Sequence, residues 1–567
     1  MERSEAEALF QEAVALQESG RWTEAKPLYL AIVDAFPDYP HVGHLLGVIA
    51  SQEGDQFLAR RFIESSLAVN PQDADALANL AWTFVKLGEH AKALARSEEA
   101  LRLAPDHLRA QLTRAFTLKL MQRHDEAVCA FDAILAREPR HVDALLFRGQ
   151  SLHALARHEE ALASYEAAIA VQPDHPELHN SRGVTFAVLE RGDEAMASFR
   201  QALALQPRFP EALFNLGMQL QNLRQYEEAL AHYEAALALR PDYPEALTYR
   251  AFALQRLRRM PHECVASLDR ALALRPGYFE AINGRANVLG QLNQFAEALE
   301  DYDAAIAIKP SFHEAHLNRG HALRELGRLE EAAEAYREAL RRGGDAQSGL
   351  FALAAMGQER APGVAPPDYI VSLFDGYAER FDEHLVGKLK YQAHERVCEA
   401  LLAFQPAPGD VLDLGCGTGL CAPLLKPVAT SMTGVDLSPR MLEVAGRRGI
   451  YTRLECADVT AFLQGEPASG FDLVVSTDVF IYIGDLDPVF AGVRRCMREG
   501  GLFGFSIEAS EREDFVLLAT RRYAQSPGYI RRLAARHGFE ELKLEPCTIR
   551  LERREQTPGY VVVLRAR

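Results

Sequence analysis

The chain has 567 residues, of which 48% are hydrophobic and 25% charged, and its formal net charge at pH 7 is −17. This length exceeds the size at which one hydrophobic core keeps growing, so at least two folding units are expected, and the acidic balance disfavours nucleic acid as a partner. Because the sequence has neither a signal-peptide pattern nor an apolar run of membrane-spanning length, we expect no membrane association and a cytoplasmic location.

Prolines recur at a fixed spacing through the first part of the chain. Consecutive members of the series are 34 residues apart, except for one step of 35 between Pro241 and Pro276. The series is Pro37, Pro71, Pro105, Pro139, Pro173, Pro207, Pro241, Pro276 and Pro310. Small and aromatic residues keep constant offsets within each period, as at Gly217, Ala229 and Tyr233. Such positions let two antiparallel helices approach closely and fill the gap towards the next repeat, while proline stops the second helix.

This pattern resembles the W-x2-L-G-x2-Y, A-x3-F, P signature of the tetratricopeptide (TPR) repeat. The resemblance covers about ten repeats and implies an all-α solenoid over residues 1–345. TPR arrays commonly hold peptides or partner proteins in a concave groove, so the resemblance also implies a protein or peptide partner.

Two sets of polar residues lie on the first helices of the repeats, and each set has two interpretations. The asparagines either bond an extended peptide backbone or have only a local role; they are Asn79, Asn215 and Asn318. The arginines either recruit an acidic partner or pair with acidic residues of the solenoid itself; they are Arg114, Arg148, Arg182, Arg250, Arg285 and Arg319.

The periodic pattern ends at Gly343 and Gly344. The stretch 348–356 is predicted to be a helix that caps the apolar face of the last repeat. Residues 361–367 are rich in proline, which predicts a stiffened linker. We therefore expect a capping helix and linker over residues 346–366 and a second domain over 367–567.

From residue 410 onward, short apolar runs alternate with helical segments. This alternation predicts a parallel sheet with helices on both faces, that is, a Rossmann-like α/β domain. Seven strands are predicted, near 410–414, 432–436, 451–455, 471–477, 501–508, 541–547 and 559–566, and they fit one compact domain of about 200 residues.

The segment 411–419 reads VLDLGCGTG, a strand that enters a glycine turn and opens a helix. Such a turn lets the backbone approach a ligand closely. Its spacing is G-x-G-x-G, and the dinucleotide spacing G-x-G-x-x-G fails because residue 420 is Leu420. The segment resembles motif I of class I S-adenosylmethionine (SAM) methyltransferases, which implies SAM as the cofactor. By this resemblance, the residues near the cofactor are Asp413, Gly415, Cys416, Gly417 and Gly419.

Two more acidic residues follow, each at the end of a predicted strand. Asp436, followed by Leu437, ends the second strand, where a carboxylate can accept hydrogen bonds from both ribose hydroxyls. Asp458, followed by Val459, matches the family position at which an acid bonds the adenine amino group and apolar neighbours cover the ring. Three signals in this order and spacing are much more specific than one glycine turn.

Residues 369–385 form an amphipathic pattern that predicts a helix before the first strand. This helix resembles the leading helix of a bacterial group in which TPR repeats are fused to this type of methyltransferase. In that group the helix usually closes over cofactor and substrate, which implies that Tyr377 contacts the cofactor and that Phe381 and Tyr391 lie near the site. Core packing is the alternative for Phe381, because an i, i+4 aromatic pair is also typical of a buried stripe.

The segment after the fourth strand lacks the Asn-Pro-Pro-Tyr sequence of enzymes that methylate an adenine or glutamine amide nitrogen, so such acceptors are disfavoured. Thr477 and Asp478 are predicted to line the pocket at the carboxyl end of this strand. Methyl transfer from a sulfonium depends mainly on alignment and exclusion of water, and no base is obligatory. If the acceptor is a hydroxyl or ammonium group, Asp478 and His384 are the candidate bases.

The eight cysteines are scattered along the chain without a CxxC pair. This distribution argues against disulfides and structural zinc, so no metal is predicted.

Three hypotheses about function follow. The first is a SAM-dependent methyltransferase whose acceptor is a protein or a carrier-bound substrate recruited by the TPR groove. The second keeps the chemistry but has a small metabolite as acceptor, with the repeats serving assembly or regulation. The third is an interaction scaffold whose transferase domain binds the cofactor without turnover.

Overall fold

The computed structural model describes the chain except for residues 40, 258–259, 376–377, 384, 386–390, 513 and 553–554. The chain divides into two compact units, Met1–Tyr278 and Phe279–Arg567. Among the described helices, none combines the length and apolarity that crossing a membrane requires.

The first unit is built from antiparallel helix pairs. Its helices are α1 (Arg3–Glu18), α2 (Trp22–Ala35), α3 (Val42–Gln52), α4 (Gln56–Val69), α5 (Ala74–Lys86), α6 (His90–Leu103), α7 (Leu108–Leu120), α8 (His124–Leu135), α9 (Val142–Ala154), α10 (His158–Val171), α11 (Pro176–Val188), α12 (Gly192–Leu205), α13 (Pro210–Asn222), α14 (Tyr226–Leu239), α15 (Pro244–Arg256) and α16 (Pro261–Leu274). A Cβ atom at Gly217 of α13 would lie 2.7 Å from Cε1 of Tyr233 in α14. Only glycine therefore permits this close approach of the two helices.

The asparagines and arginines on the first helices of the repeats form hydrogen bonds or ion pairs with other residues of the array. Asn215 donates from Nδ2 to Oδ1 of Asn180, one repeat earlier, at 3.0 Å. Arg148 donates to Asp132 at 2.6 Å, and the other arginines of the set make comparable contacts with acidic or hydroxyl groups of neighbouring helices. These contacts favour the local interpretation of both sets.

The second unit begins with two further helix pairs and a single helix. These are α17 (Phe279–Gln291), α18 (Phe295–Ile308), α19 (His313–Glu325), α20 (Leu329–Arg341) and α21 (Ala346–Ala355). Helix α21 packs Ala352 and Leu353 against Tyr336 of α20. Its opposite face packs Phe351 against Tyr523 of the α/β domain. The proline-rich segment that follows is also packed, because the amide of Ala365 donates to the carbonyl of Tyr482 at 2.9 Å.

The rest of the second unit is an α/β domain. Its helices are α22 (Pro367–Asp375), α23 (Ala393–Leu402), α24 (Ala422–Leu425), α25 (Pro439–Arg447), α26 (Val459–Gly465), α27 (Asp487–Cys496) and α28 (Pro527–Arg536). Its strands are β1 (Gly409–Leu414), β2 (Ala429–Asp436), β3 (Arg453–Cys456), β4 (Phe471–Ser476), β5 (Met497–Glu508), β6 (Phe515–Leu517), β7 (Tyr523–Gln525), β8 (Phe539–Glu552) and β9 (Glu555–Ala566).

Seven of these strands form one sheet in the order β3-β2-β1-β4-β5-β9-β8. The first five are parallel, and β9 runs antiparallel to both β5 and β8. Apolar residues of both faces are buried, with Leu412, Val474 and Phe503 on one face and Val411 and Leu473 on the other. The predicted fold class, a TPR solenoid followed by a Rossmann-like seven-stranded domain, is confirmed.

Three details differ from the sequence-based expectation. A parallel sheet was predicted, but β9 runs antiparallel to β5 and β8, so the sheet is mixed. Strands β6 and β7 pair as a separate hairpin that was not predicted. Each strand has only three residues, which is too short to show an alternation of apolar and polar residues. The amphipathic segment before the sheet is not α-helical throughout, since α22 is described as far as Asp375 and Ala378–Arg380 form a 3-10 turn.

Candidate active site

The carboxyl ends of the parallel strands meet at one edge of the sheet, where ligands of such folds bind. The acidic residues predicted to hold the cofactor lie at or just beyond these ends. Asp413 is next to last in β1, Asp436 is the last residue of β2, and Asp458 follows β3. Thr477 and Asp478 directly follow β4. The topology therefore brings residues from four segments of the sequence to one edge.

The glycine turn after β1 has a backbone that favours glycine. Gly415, Gly417 and Gly419 have φ values of 68°, 54° and 82°. A Cβ atom at Gly415 would lie 2.2 Å from Cγ2 of Val479, whereas one at Gly417 would have no heavy atom within 4 Å. Gly417 therefore borders open space, as a residue that faces a ligand must.

Asp436 is fixed against this turn by two backbone amides. Gly417 donates to Oδ2 and Ser438 donates to Oδ1, both at 2.9 Å. Burial raises the pKa of the Asp436 carboxyl, and these two hydrogen bonds act in the opposite direction. Each oxygen keeps a further lone pair, so the carboxylate can still accept two hydroxyl groups.

Asp413 is 2% exposed and accepts a hydrogen bond from the hydroxyl of Tyr451 at 2.7 Å. Burial raises the pKa of Asp413 to about 7, the bond from Tyr451 lowers it, and the nearby charge of Asp436 raises it further. A carboxyl group with this pKa changes charge in response to a cation placed beside it.

Asp458 begins α26 and uses one carboxylate oxygen as a helix cap. Its Oδ1 accepts from the amides of Thr460 and Ala461 at 2.9 and 3.0 Å. Val459 is buried in the core of the domain, while Leu437 packs against a second cluster that includes Ile370. One carboxylate oxygen of Asp458 thus caps α26, and the second oxygen can accept a hydrogen bond from a ligand.

The segment after α22 is attached to the glycine turn. Thr418 donates from its hydroxyl to Oδ1 of Asp382, and Arg448 bonds both Oδ2 of Asp382 and the carbonyl of Thr418 at 2.5 Å. Ser438 similarly donates to Asp375 at 2.6 Å. Tyr377 and His384 lie outside the described residues, and their predicted roles remain predictions.

On the other side of the turn, Asp478 has a φ of 60° and lies in a buried charge network. Arg550 of β8, which is 2% exposed, donates to Oδ1 of Asp478 at 2.6 Å and also bonds Glu508. Arg522 lies 3.7 Å from Glu508. Tyr391 is buried nearby, and burial together with the charge of Asp478 raises its pKa.

The two aromatic residues expected near the site, Phe381 and Tyr391, belong to the same apolar cluster. Phe381 lies 5.9 Å from Phe374, centroid to centroid, and packs on a cluster formed by Leu385, Tyr391 and Ile549. The packing interpretation therefore applies to Phe381. Thr477 has its hydroxyl 3.5 Å from Sγ of Cys421.

The sequence did not reveal four residues that shape this site: Tyr451, Asp382, Arg448 and Arg550. Their partners are 38, 36, 66 and 72 residues away along the chain. None belongs to a motif with a fixed spacing, so only the folded structure identifies them.

Comparison with known families agrees with this architecture. The family model described as Methyltransferase domain matches residues 411–501. Models of the tetratricopeptide repeat match residues 7–39, 74–107, 121–176, 154–212, 210–243 and 283–347.

Among curated proteins, malonyl-[acyl-carrier protein] O-methyltransferase of Geobacter sulfurreducens is 35% identical over 117 residues, which cover 20% of this chain and 43% of that protein. Ubiquinone biosynthesis O-methyltransferase of Thiobacillus denitrificans is 28% identical over 160 residues, which cover 24% and 67% of the two chains. The relatives are thus matched in part of their length only.

Solved structures resemble the repeats. One is YrrB, a TPR protein with an unusual peptide-binding site, at 21% identity and a TM-score of 0.30, covering 33% of this chain and 96% of that one. Another is the APC/C hetero-tetramer Cut9–Hcn1, at 14% identity and a TM-score of 0.40, covering 61% and 75%.

Proposed function

We propose that this chain, a TPR-containing class I methyltransferase, transfers the methyl group of SAM to an acceptor that is a protein or is bound to a carrier. The observation that carries the cofactor assignment is the glycine turn with its open face at Gly417, next to the fixed carboxylate of Asp436. This arrangement offers backbone approach and a hydroxyl acceptor at adjacent positions.

The residues at the strand ends fit the parts of SAM in order. Asp436 would accept the two ribose hydroxyls, and Asp458, with Leu437 and Val459, would hold the adenine. Asp413 would face the ammonium group of the methionine end. The bound cofactor supplies an electrophilic methyl group on a sulfonium, so the protein contributes mainly alignment and a site without water.

Asp478 is proposed to orient the acceptor. Its Oδ1 accepts from the buried guanidinium of Arg550, and this charged hydrogen bond fixes the orientation of the carboxylate. Its second oxygen would accept a hydrogen bond from a hydroxyl or ammonium group of the acceptor. In this proposal the acceptor is aligned by Asp478 and needs no strong base.

Two facts support a protein or carrier-bound acceptor. The repeats occupy more of the chain than the α/β domain does, and one relative acts, by its name, on a malonyl group attached to acyl-carrier protein. A tethered acceptor would gain effective concentration at the site if the repeats bind its carrier.

The test uses the full chain, a cell extract and SAM with an isotopically labelled methyl group. We expect label in the protein fraction with the natural chain and none with Asp436→Ala, whose affinity for SAM should fall about 10- to 100-fold on loss of a charged hydrogen-bond acceptor. Asp410→Ala is the matched control, because Asp410 lies near the start of β1 at the opposite edge and pairs with Arg498. Label only in small molecules would contradict the proposed acceptor class, and no label in any fraction would contradict methyl transfer.

A further inference from the structure

The hairpin of β6 and β7 carries an arginine in an unusual backbone conformation. In its turn, Arg521 donates from its amide to the carbonyl of Leu518 at 2.9 Å, and Leu518 donates to the carbonyl of Arg522 at 2.8 Å. The φ of Arg521 is 61°. This left-handed conformation is strained for a long side chain and persists only where the surrounding structure holds it.

The side chain of Arg521 is buried against the last helix pair of the second unit. Arg521 is 8% exposed. Its Nη2 donates to the hydroxyl of Tyr336 at the long distance of 3.4 Å, and its Cζ lies 5.5 Å from the ring centroid of Tyr369 in α22. Its Nε is buried without a hydrogen-bond partner.

No carboxylate among the described residues neutralises this guanidinium. Within the described part of the chain, Arg521 takes part in no ion pair, in contrast to the neighbouring Arg522 and to Arg324 of α19, which pair with Glu508 and Glu325. A buried cation without a counter-charge is costly, which is why such groups are normally paired.

A second polar side chain, His321, lies beside Tyr336. The ring of His321 lies 5.4 Å from that of Tyr336, and burial together with the positive charges of Arg521 and Arg324 holds the pKa of His321 well below its usual range. His321 is therefore neutral at pH 7 and offers a ring N–H, while the Tyr336 hydroxyl that accepts from Arg521 keeps its own proton to donate.

We propose that Arg521, Tyr336 and His321 form a binding site for a small anionic group, a phosphate or a carboxylate. The anion supplies the counter-charge that the described residues lack and accepts from the unused N–H groups of Arg521. Phosphate and carboxylate share the geometry that suits a guanidinium.

An anion bound at this site would also stabilise the position of α22. Tyr369 in that helix stacks against Arg521, and the same helix carries Phe374, which contacts Tyr482, and Asp375, which accepts from Ser438. The anion site is distinct from the strand ends, so it does not depend on the proposed methyl transfer.

The experiment measures anion binding to the full chain by titration calorimetry with inorganic phosphate and, separately, with citrate, at constant ionic strength set with chloride. We expect saturable binding of at least one of the two anions. The anion with the higher affinity shows whether the site prefers a phosphate or a carboxylate group. Arg521→Gln should weaken it about 10-fold or more, because charged hydrogen bonds are lost. Arg341→Gln is the control, since Arg341 lies on the same helix as Tyr336 but is exposed and paired with Glu334 and Glu338.

Tyr336→Phe is a second variant that keeps the buried ring and removes only the hydroxyl, and it should weaken binding by a smaller factor. The far-UV circular dichroism spectrum, measured in parallel, should stay unchanged in all three variants and reports that the chain is folded. Absence of saturable binding of either anion, or equal affinity in the natural chain and Arg521→Gln, would overturn the proposal.

Discussion

At the scale of single residues, Asp413 is expected to make cofactor binding depend on pH. Its pKa of about 7 without ligand means that the carboxyl group is largely neutral below that pH. If Asp413 faces the ammonium group of SAM, binding favours the ionised form and lowers the pKa. Affinity for SAM should therefore rise as the pH increases from about 6 to 8, with release of a proton.

Titration calorimetry in buffers of different ionisation enthalpy measures this proton directly. Asp413→Asn should remove both the proton release and this part of the pH dependence. Tyr451→Phe should move the midpoint to higher pH, because the bond from Tyr451 lowers the pKa of Asp413. A natural chain with no proton release between about pH 6 and 8 would show that Asp413 does not face the ammonium group.

The same pKa affects the stability of the ligand-free protein. A carboxyl group whose pKa is raised on folding contributes stability that is fully present below its unfolded pKa and is lost as the pH rises through the folded value. The free energy of unfolding of the natural chain relative to Asp413→Asn should thus fall between about pH 4 and pH 7. Chemical denaturation of both proteins across that range checks the sign.

The role of Gly417 can be tested by substitution with valine, and Gly500 provides a matched control. Gly417 and Gly500 both have positive φ, 54° and 81°, and a Cβ atom at either would meet no heavy atom within 4 Å. Valine at either position should therefore cost a similar backbone strain, about 1–2 kcal/mol. Only Gly417→Val should abolish SAM binding, because only Gly417 borders the proposed site, and equal binding by the two variants in calorimetry would remove that assignment.

At the scale of secondary structure, α21 has two buried faces. Ala352 and Leu353 pack on the last helix pair, whereas Phe351 packs on Tyr369 and Tyr523 of the α/β domain. The sequence predicted the first contact as a cap, and the structure adds the second. The α/β domain therefore has an apolar surface that is covered by residues outside its own sheet.

Phe351→Ala should destabilise the second unit by about 3–5 kcal/mol, the usual cost of deleting a buried aromatic ring. Leu350→Ala is the matched control, because Leu350 is the preceding residue of the same helix and is 44% exposed; it should cost less than about 1 kcal/mol. Calorimetric unfolding of the full-length variants compares them, and hydrogen exchange should rise at β6 and β7 only in Phe351→Ala. Equal costs would mean that α21 does not support the hairpin.

At the scale of the whole molecule, the division after Tyr278 indicates where to remove most of the repeats, which are proposed to recruit the acceptor, and keep the α/β domain. A fragment of residues 279–567 keeps the last two helix pairs, α21 and the α/β domain together, so it should fold and bind SAM like the full chain. Its KM for the physiological acceptor should rise more than its kcat falls, because the tether that raises the local concentration of the acceptor is lost. Equal kcat/KM of fragment and full chain, at equal SAM affinity, would show that the first eight helix pairs do not recruit the acceptor.

The sequence by itself determined the repeats, the seven strands and the strand-end residues that carry the cofactor assignment. These features depend on local patterns: a period of 34 residues, alternation of apolar runs, and a glycine turn directly after a strand. Parallel strands bring their carboxyl ends together whatever their loops contain, so the strand pattern alone was enough to place Asp413, Asp436 and Asp458 at one edge of the sheet.

Only the tertiary structure decided what these residues contact. Arg550 reaches Asp478 across 72 residues, and Arg521 reaches Tyr336 across 185. No periodicity or motif spacing encodes such pairs, because they depend on how β8 and the β6–β7 hairpin pack in space. The same packing buries Asp413 against Tyr451, which raises the pKa of Asp413. It also buries Arg521 without a counter-charge among the described residues, and this is the basis of the proposed anion site.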